Sequence, residues 1–207
     1  MHRFFSLVLA ISVGTFLFGT SAAFAQHHHE GDFVIGQSGA PTFEIHVHGD
    51  PDILSGAEPI PLYPGEGAFE GFFVADDPGW IGLEEDEPDE GMYLLLAGHQ
   101  VSLKRISFDP GFSMFDPTAG PILENNGSTF LFPLDEEGFI HRHLIFAGEG
   151  EIGDTWWATF QLVDPSGLHA ASDTFTLQFV AMPEPTSLLL LVSGLAVVSL
   201  RRRAARA

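Results

Sequence analysis

The residues in this sequence most able to do chemistry are its histidines, because most of them occur in closely spaced groups. They form the pairs His46-Val47-His48 and His141-Arg142-His143 and the run His27-His28-His29. On a β-strand, residues two apart point to the same face roughly 6–7 Å from each other, so both imidazoles can reach one ion. Two such pairs on adjacent strands predict a divalent-metal site. Its predicted ligands are His29, His46, His48, His141 and His143.

The available donor atoms limit which ion such a site would hold. The sequence has no cysteine, so it has neither a thiolate site nor a disulfide. Imidazole ligands favour Zn²⁺, with Cu²⁺ or Ni²⁺ as alternatives. Carboxylates in loops make Ca²⁺ a competing ion, although none of these loops has EF-hand spacing. The acidic candidates are Asp50, Asp52, Asp76, Asp77 and the run Glu84 to Glu90. A solvated acidic loop and an exposed histidine pair that binds nothing are the plainer interpretations of the same residues.

Short β-strands must position these histidines, because residues 26–182 alternate polar and apolar side chains and have no helical periodicity. Residues 42–48 place His46 and His48 on the polar face of a strand. Residues 139–146 predict another strand, with His141 and His143 on one face. About nine to eleven strands at this spacing predict an all-β domain, an antiparallel Ig-like β-sandwich that ends in a hairpin with its last strand at an edge.

The N-terminus predicts export. A short cationic start, Met1-His2-Arg3, precedes an apolar region from Phe4 to Phe18 and a small-x-small site, Ala23-Phe24-Ala25. This order is typical of a secretory signal peptide. We therefore expect a signal-peptide helix over residues 1–25, which signal peptidase removes after Ala25.

The C-terminus predicts a sorting segment over residues 183–207. Pro183-Glu184-Pro185 is followed by an uncharged apolar run to Leu200 and then by Arg201, Arg202 and Arg203. A helix over that run is about 22 Å long, short for a permanent span, and its arginines favour the cytoplasmic side. This arrangement resembles the PEP-CTERM segment of exported bacterial proteins. The resemblance implies a short transmembrane helix that anchors the chain transiently in the inner membrane. It also implies cleavage by an exosortase-type protease near Pro-Glu-Pro and delivery to the cell surface, outer membrane or extracellular matrix.

A second resemblance concerns the end of the mature domain. His141-Arg-His143-Leu-Ile-Phe146 is followed by a turn and by the strand Asp154 to Val163. This pattern resembles His-x-His domains of surface-anchored proteins that are associated with metal ABC transporters or controlled by the zinc-uptake repressor. The start, from His29 to Asp32 and from His46 to Asp50, matches more loosely. The resemblance implies extracellular zinc acquisition or storage, with a metal transporter or an extracellular polysaccharide as partner.

The charge balance narrows the function classes. Residues 26–185 contain all 28 acidic residues but only three basic ones, Lys104, Arg105 and Arg142. Such a surface repels nucleic acid and anionic lipid, and it attracts cations. The sequence has no Gly-x-Ser-x-Gly motif and no catalytic cysteine, so we do not expect an enzyme. The remaining classes are a metal-binding surface protein and a structural or adhesive surface protein without a metal site.

Overall fold

The computed structural model describes residues 31–135 and 139–184, and these residues are mostly β-structure. A four-residue helix, α1 (Pro51–Leu54), and a 3-10 turn, Gly67–Phe69, are the helical elements in these ranges. The strands of the same ranges are β1 (Phe33–Gln37), β2 (Ile45–His48), β3 (Ile60–Pro64), β4 (Phe72–Ala75), β5 (Trp80–Gly82), β6 (Ser102–Phe108), β7 (Phe112–Asp116), β8 (Gly120–Ile122), β9 (Thr129–Leu131), β10 (His141–Arg142), β11 (Ile145–Glu149), β12 (Thr155–Val163) and β13 (Phe175–Ala181). The prediction of an all-β domain is confirmed at this level.

The strands form two sheets of unequal size. The small sheet has the order β10-β5-β1-β2, and the large sheet has the order β8-β7-β11-β4-β3-β13-β12-β6-β9. Most neighbours are antiparallel, but β1 pairs with β5 and β3 pairs with β13 in parallel. The prediction of a wholly antiparallel arrangement is therefore wrong at these two pairings. Parallel neighbours are joined by long connections, so the pattern within one strand does not identify them.

The large sheet curls until its two ends approach each other. Arg105 of β6 donates hydrogen bonds to the carbonyls of Leu123 and Glu124, which directly follow β8 at the far end of the sheet. The same guanidinium lies over the ring of Phe108, 4.2 Å from its centroid. Arg105 thus fastens the β6 end of the sheet to the β8 end.

Both sheets share one hydrophobic core. On β12 the alternation is regular, with Trp156, Ala158, Phe160 and Leu162 buried and the residues between them more exposed. Trp80 of the small sheet is fully buried, and its ring lies 4.8 Å from that of Phe33 and 5.6 Å from that of Phe132. Burial of each large side chain contributes about 1.5–3 kcal/mol. Among the residues that the structure describes, the core residues lie between Phe33 and Ala181.

The last strand lies inside the large sheet rather than at its edge. The predicted hairpin of β12 and β13 is present, with Trp156 opposite Phe179. The other side of β13 pairs with β3, and the backbone N–H of Met182 continues this pairing to the carbonyl of Leu62. The prediction that the chain ends at an edge strand is wrong, because β3 covers that edge.

Both predicted processing segments fall largely outside the described residues. The residues outside the described ranges include the signal peptide with Ala25, and Pro185 with Arg201, Arg202 and Arg203. The candidate ligand His29, at the start of the mature domain, is also outside them. Pro183 and Glu184 are described and follow β13 without regular secondary structure. No helix within residues 31–135 and 139–184 is both long and apolar enough to cross a membrane.

Candidate metal centre

The two predicted histidine pairs lie at opposite edges of the small sheet. His48 of β2 is level with Val34 of β1, Val34 with Ile81 of β5, and Ile81 with His141 of β10. With strands about 4.8 Å apart, three steps separate the two histidines by about 14 Å. The strand order therefore contradicts the prediction that both pairs hold one ion.

The two histidine pairs also differ in their contacts and in the elements that carry them. His46 and His48 are exposed, and His48 Nδ1 lies 3.3 Å from a carboxylate oxygen of Glu90. The strand predicted over residues 139–146 is divided between the two sheets, because the chain leaves β10 after Arg142 and enters β11 at Ile145. His143 lies in this crossover, and its ring centroid is 5.6 Å from that of His141.

At the crossover, His143 meets two aspartates. Its Nδ1 is 3.2 Å from Asp77 Oδ1, and its Nε2 is 4.0 Å from Asp32 Oδ2. One ligand atom from each of the three residues lies within 4.8 Å of the other two. We call Asp32, Asp77 and His143 the Asp-Asp-His cluster. It brings one predicted ligand, His143, together with two carboxylates that are distant in sequence.

The parallel pairing of β1 and β5 brings these segments together. Asp32 directly precedes β1, and Asp77 lies in the turn between β4 and β5. The backbone N–H of Phe33 donates to the carbonyl of Gly79 at 2.9 Å, and the N–H of Gly79 donates to Asp32 Oδ1 at 2.6 Å. The cluster therefore lies where the start of the small sheet, the turn into β5 and the crossover to the large sheet converge.

The carboxylate of Asp32 is the most unusual group in the cluster. Only 2% of its side chain is exposed. Its Oδ1 accepts the bond from Gly79, whereas its Oδ2 is buried without a hydrogen-bond partner. Burying a charged oxygen without a partner is costly, and such oxygens in proteins are normally hydrogen-bonded or coordinate a cation. Oδ2 is therefore an available ligand atom for a cation.

The hydrogen bonding of His143 fits the same interpretation. Its Nδ1 lies 3.0 Å from the carbonyl oxygen of Asp76, and a carbonyl only accepts hydrogen bonds, so Nδ1 carries the proton. In the neutral ring the lone pair is then on Nε2, the atom on the Asp32 side. Metal-binding histidines commonly use this arrangement, in which a backbone carbonyl fixes the ring through the other nitrogen.

Gly79 leaves the space that the imidazole occupies. A Cβ at this position would lie 2.7 Å from Cε1 and 2.8 Å from Nε2 of His143. We expect Gly79→Ala to displace the ring and to lower the free energy of unfolding by about 1–3 kcal/mol, as overpacking does. Urea unfolding checks this value. Adding His143→Ala should restore part of the loss, and strictly additive costs would contradict the contact.

A second set of polar residues has the composition of a hydrolase triad but not its hydrogen bonds. The hydroxyl of Ser166 donates to Asp164, and His169 uses Nδ1 for Asp164 and Nε2 to accept from the N–H of Leu96. Burial alone would raise the pKa of Asp164, but bonds from Ser166 and His169 lower it to about 2. Since His169 Nε2 accepts a backbone hydrogen bond instead of activating the serine, this trio fixes two loops.

The spacing of the histidines predicts His143 as a ligand, but it does not predict the two aspartates beside it. Asp77 entered only as a possible calcium ligand, and Asp32 only within a loose resemblance. The local signal for Asp77 is the turn Asp76-Asp77-Pro78-Gly79 directly before the buried Trp80. The order of the strands brings Asp32 and Asp77 to His143, and spacing along the chain does not encode that order.

The fold and the cluster together define a two-sheet β-domain with a candidate divalent-cation centre of one imidazole and two carboxylates. Comparison with known proteins found no match to a family model, to a curated protein or to a solved structure. The features that bear on function are therefore the geometry of the Asp-Asp-His cluster and the two ends of the sequence.

Proposed function

We propose that this chain is an exported, surface-delivered protein that binds a divalent metal ion, zinc first among them, through Asp32, Asp77 and His143. The observation that carries the proposal is the buried Oδ2 of Asp32, which lacks a hydrogen bond and lies 4.0 Å from His143 Nε2. Two atoms bound to one tetrahedral zinc at about 2.1 Å are about 3.4 Å apart. A small rotation of the half-buried imidazole closes that difference.

The donor set supports zinc or copper over calcium. Imidazole with carboxylates suits Zn²⁺ or Cu²⁺, whereas Ca²⁺ prefers six to eight oxygen ligands. Three protein ligands leave at least one coordination position of zinc open. His29 is three residues before Asp32, within about 11 Å along an extended chain, and it stays a predicted further ligand.

The destination of the protein is proposed from its two ends. The signal peptide over residues 1–25 and the segment from Pro183 support export, cleavage by signal peptidase, and sorting by an exosortase-type protease. Delivery to the surface or the extracellular matrix would place the site where a metal transporter can draw on it. The finer fold assignment, an Ig-like sandwich, is likewise a proposal, which two sheets on one core support.

Metal titration of the mature chain, residues 26–183, tests the proposal. After removal of metal, calorimetry with Zn²⁺, Ca²⁺ and Cu²⁺ should give a submicromolar dissociation constant for zinc. Zinc at 100 times that constant should stabilise the fold by about 2.7 kcal/mol. His143→Ala should abolish both effects. The double variant His46→Ala/His48→Ala is the matched control and should keep them, because its histidines lie at the far edge of the small sheet.

Three results would decide against this assignment. An unchanged melting temperature with all three ions would favour the alternative, a structural or adhesive surface protein without a metal site. Binding that the His46/His48 variant loses and His143→Ala keeps would move the site to β2. Tighter binding of Ca²⁺ than of Zn²⁺ would keep the cluster and change the ion.

A further inference from the structure

A groove of about 440 Å³ lies directly beside the Asp-Asp-His cluster. Its lining includes Asp32 and Asp77 of the cluster, together with Glu58, Pro61, Tyr63 and Val74. Tyr63 and Val74 face each other across β3 and β4, and Leu62 between Pro61 and Tyr63 points into the core. The groove therefore runs from the cluster along the outer face of the large sheet. Its volume is within the range of small-ligand sites, about 300–1,000 Å³.

The lining selects against negatively charged ligands. Among the described residues, it contains four carboxylates, those of Asp32, Glu58, Asp76 and Asp77, and no lysine, arginine or histidine side chain. These oxygens only accept hydrogen bonds, so a matching ligand must supply donors. Tyr63 and the neighbouring prolines add an apolar surface, which a ligand with only polar faces would leave uncovered.

The cluster and the groove share two residues. Asp32 and Asp77 line the groove, whereas His143 does not. An ion held by the three side chains would therefore have His143 on one side and the groove next to its two aspartates. An open coordination position on the groove side would be accessible to a ligand. A ligand in the groove can reach the ion there and displace bound water.

We propose that the groove binds an uncharged sugar unit of a polysaccharide, and that a hydroxyl group of the sugar coordinates the ion. This inference rests on the proposed function, because the described residues of the lining supply no positive charge and the ion would supply it. The coordinating hydroxyl oxygen gives a lone pair to the ion, and the hydroxyl hydrogens of the sugar are donated to carboxylates of the lining. The C–H face of the ring then lies against Tyr63. A sugar meets all three demands at once, with oxygen ligands, hydrogen-bond donors and an apolar face.

Affinity electrophoresis of the mature chain, residues 26–183, tests this inference. Native gels contain a neutral mannan, a neutral galactan or the anionic polymer polygalacturonate, each with the bound ion or with EDTA. We expect at least one neutral polymer to retard the ion-loaded protein, EDTA to abolish the retardation, and polygalacturonate to have no effect. Tyr63→Ala should weaken the retardation about tenfold while the calorimetric ion affinity stays unchanged. Tyr63→Phe, which keeps the ring, should behave like the wild type.

Phe139→Ala is the matched control. This aromatic side chain is 39% exposed and lines a different groove, beside His141 on the small sheet. It should leave the retardation unchanged. Ion binding without retardation by either neutral polymer would overturn the sugar site and leave the metal site standing. Retardation that survives EDTA, or that Tyr63→Ala leaves at the wild-type level, would overturn it as well, since the polymer would then bind elsewhere. Failure to bind any ion would refute the proposed function itself.

Discussion

Asp32→Asn should weaken ion binding more than 100-fold and leave the metal-free domain at least as stable as the wild type. The amide oxygen of asparagine can still accept the bond from the N–H of Gly79, now 2.6 Å from Asp32 Oδ1. The substitution removes a buried charge that has no partner on Oδ2. Removing such a buried, unpartnered charge raises the free energy of unfolding of the metal-free domain by about 1–3 kcal/mol. A residue that served only the fold would respond with the opposite sign.

The matched control is Asp164→Asn, another substitution of a buried aspartate. The carboxylate of Asp164 accepts bonds from Ser166, His169 and the N–H of Gln100, so its charge is fully compensated. We expect this variant to lose stability and to keep its ion affinity. Urea unfolding without metal and calorimetry with zinc give the two quantities. Equal destabilisation by both substitutions would show that Asp32 is a structural residue.

Arg142→Met should cost about 3–5 kcal/mol of unfolding free energy, because it leaves Asp116 charged and buried. The Asp116 side chain is 2% exposed, and its Oδ2 accepts from Arg142 Nε at 2.8 Å. Its Oδ1 accepts from the N–H groups of Thr118 and Ala119. Because Arg142 is on β10 and Asp116 is on β7, this ion pair links the small sheet to the large one.

The same pair should give the domain a marked sensitivity to acid. Burial alone would raise the pKa of Asp116, but bonds from Arg142 and Thr118 lower it well below its usual range. A carboxyl with a lowered folded-state pKa stabilises the protein above its unfolded value, about 3.9, and loses this contribution as the pH falls further. Unfolding measured between pH 7 and pH 2 should therefore show a smaller acid-dependent loss in Arg142→Met.

The double variant Asp116→Asn/Arg142→Met provides the control for this ion pair. With no buried charge left, it should recover part of the stability that Arg142→Met loses. Chemical denaturation at neutral pH compares the three proteins. A loss below about 1 kcal/mol in Arg142→Met would contradict the structural role of the pair, because surface ion pairs have effects of that size.

Much of the fold follows from local patterns in the sequence. The alternation of buried Trp156, Ala158, Phe160 and Leu162 predicts β12, and the short turn after it predicts its hairpin with β13. The division of residues 139–146 is not predictable in the same way. Leu144 is fully buried between the two strands, so the segment has the apolar pattern of one strand while it passes between sheets.

The candidate site shows the same limit. His-x-His spacing describes two residues on one strand, and it predicts His143 as a ligand without indicating what surrounds it. The carboxylates that face His143 arrive from Asp32, more than 100 residues earlier, and from Asp77. Their approach depends on the parallel pairing of β1 with β5 and on the crossover after β10. Spacing along the sequence carries no information about either event.

The interior position of β13 determines when the fold can be completed. Between β3 and β12, the large sheet depends on residues 175–181, which are the last strand of the domain. In a chain that emerges N-terminus first, two half-sheets with open edges at β3 and β12 exist until these residues appear. Open edges pair with other chains or are cut by proteases. The sheet therefore cannot close before the chain has emerged as far as Ala181, directly before Met182 and the Pro-Glu-Pro segment.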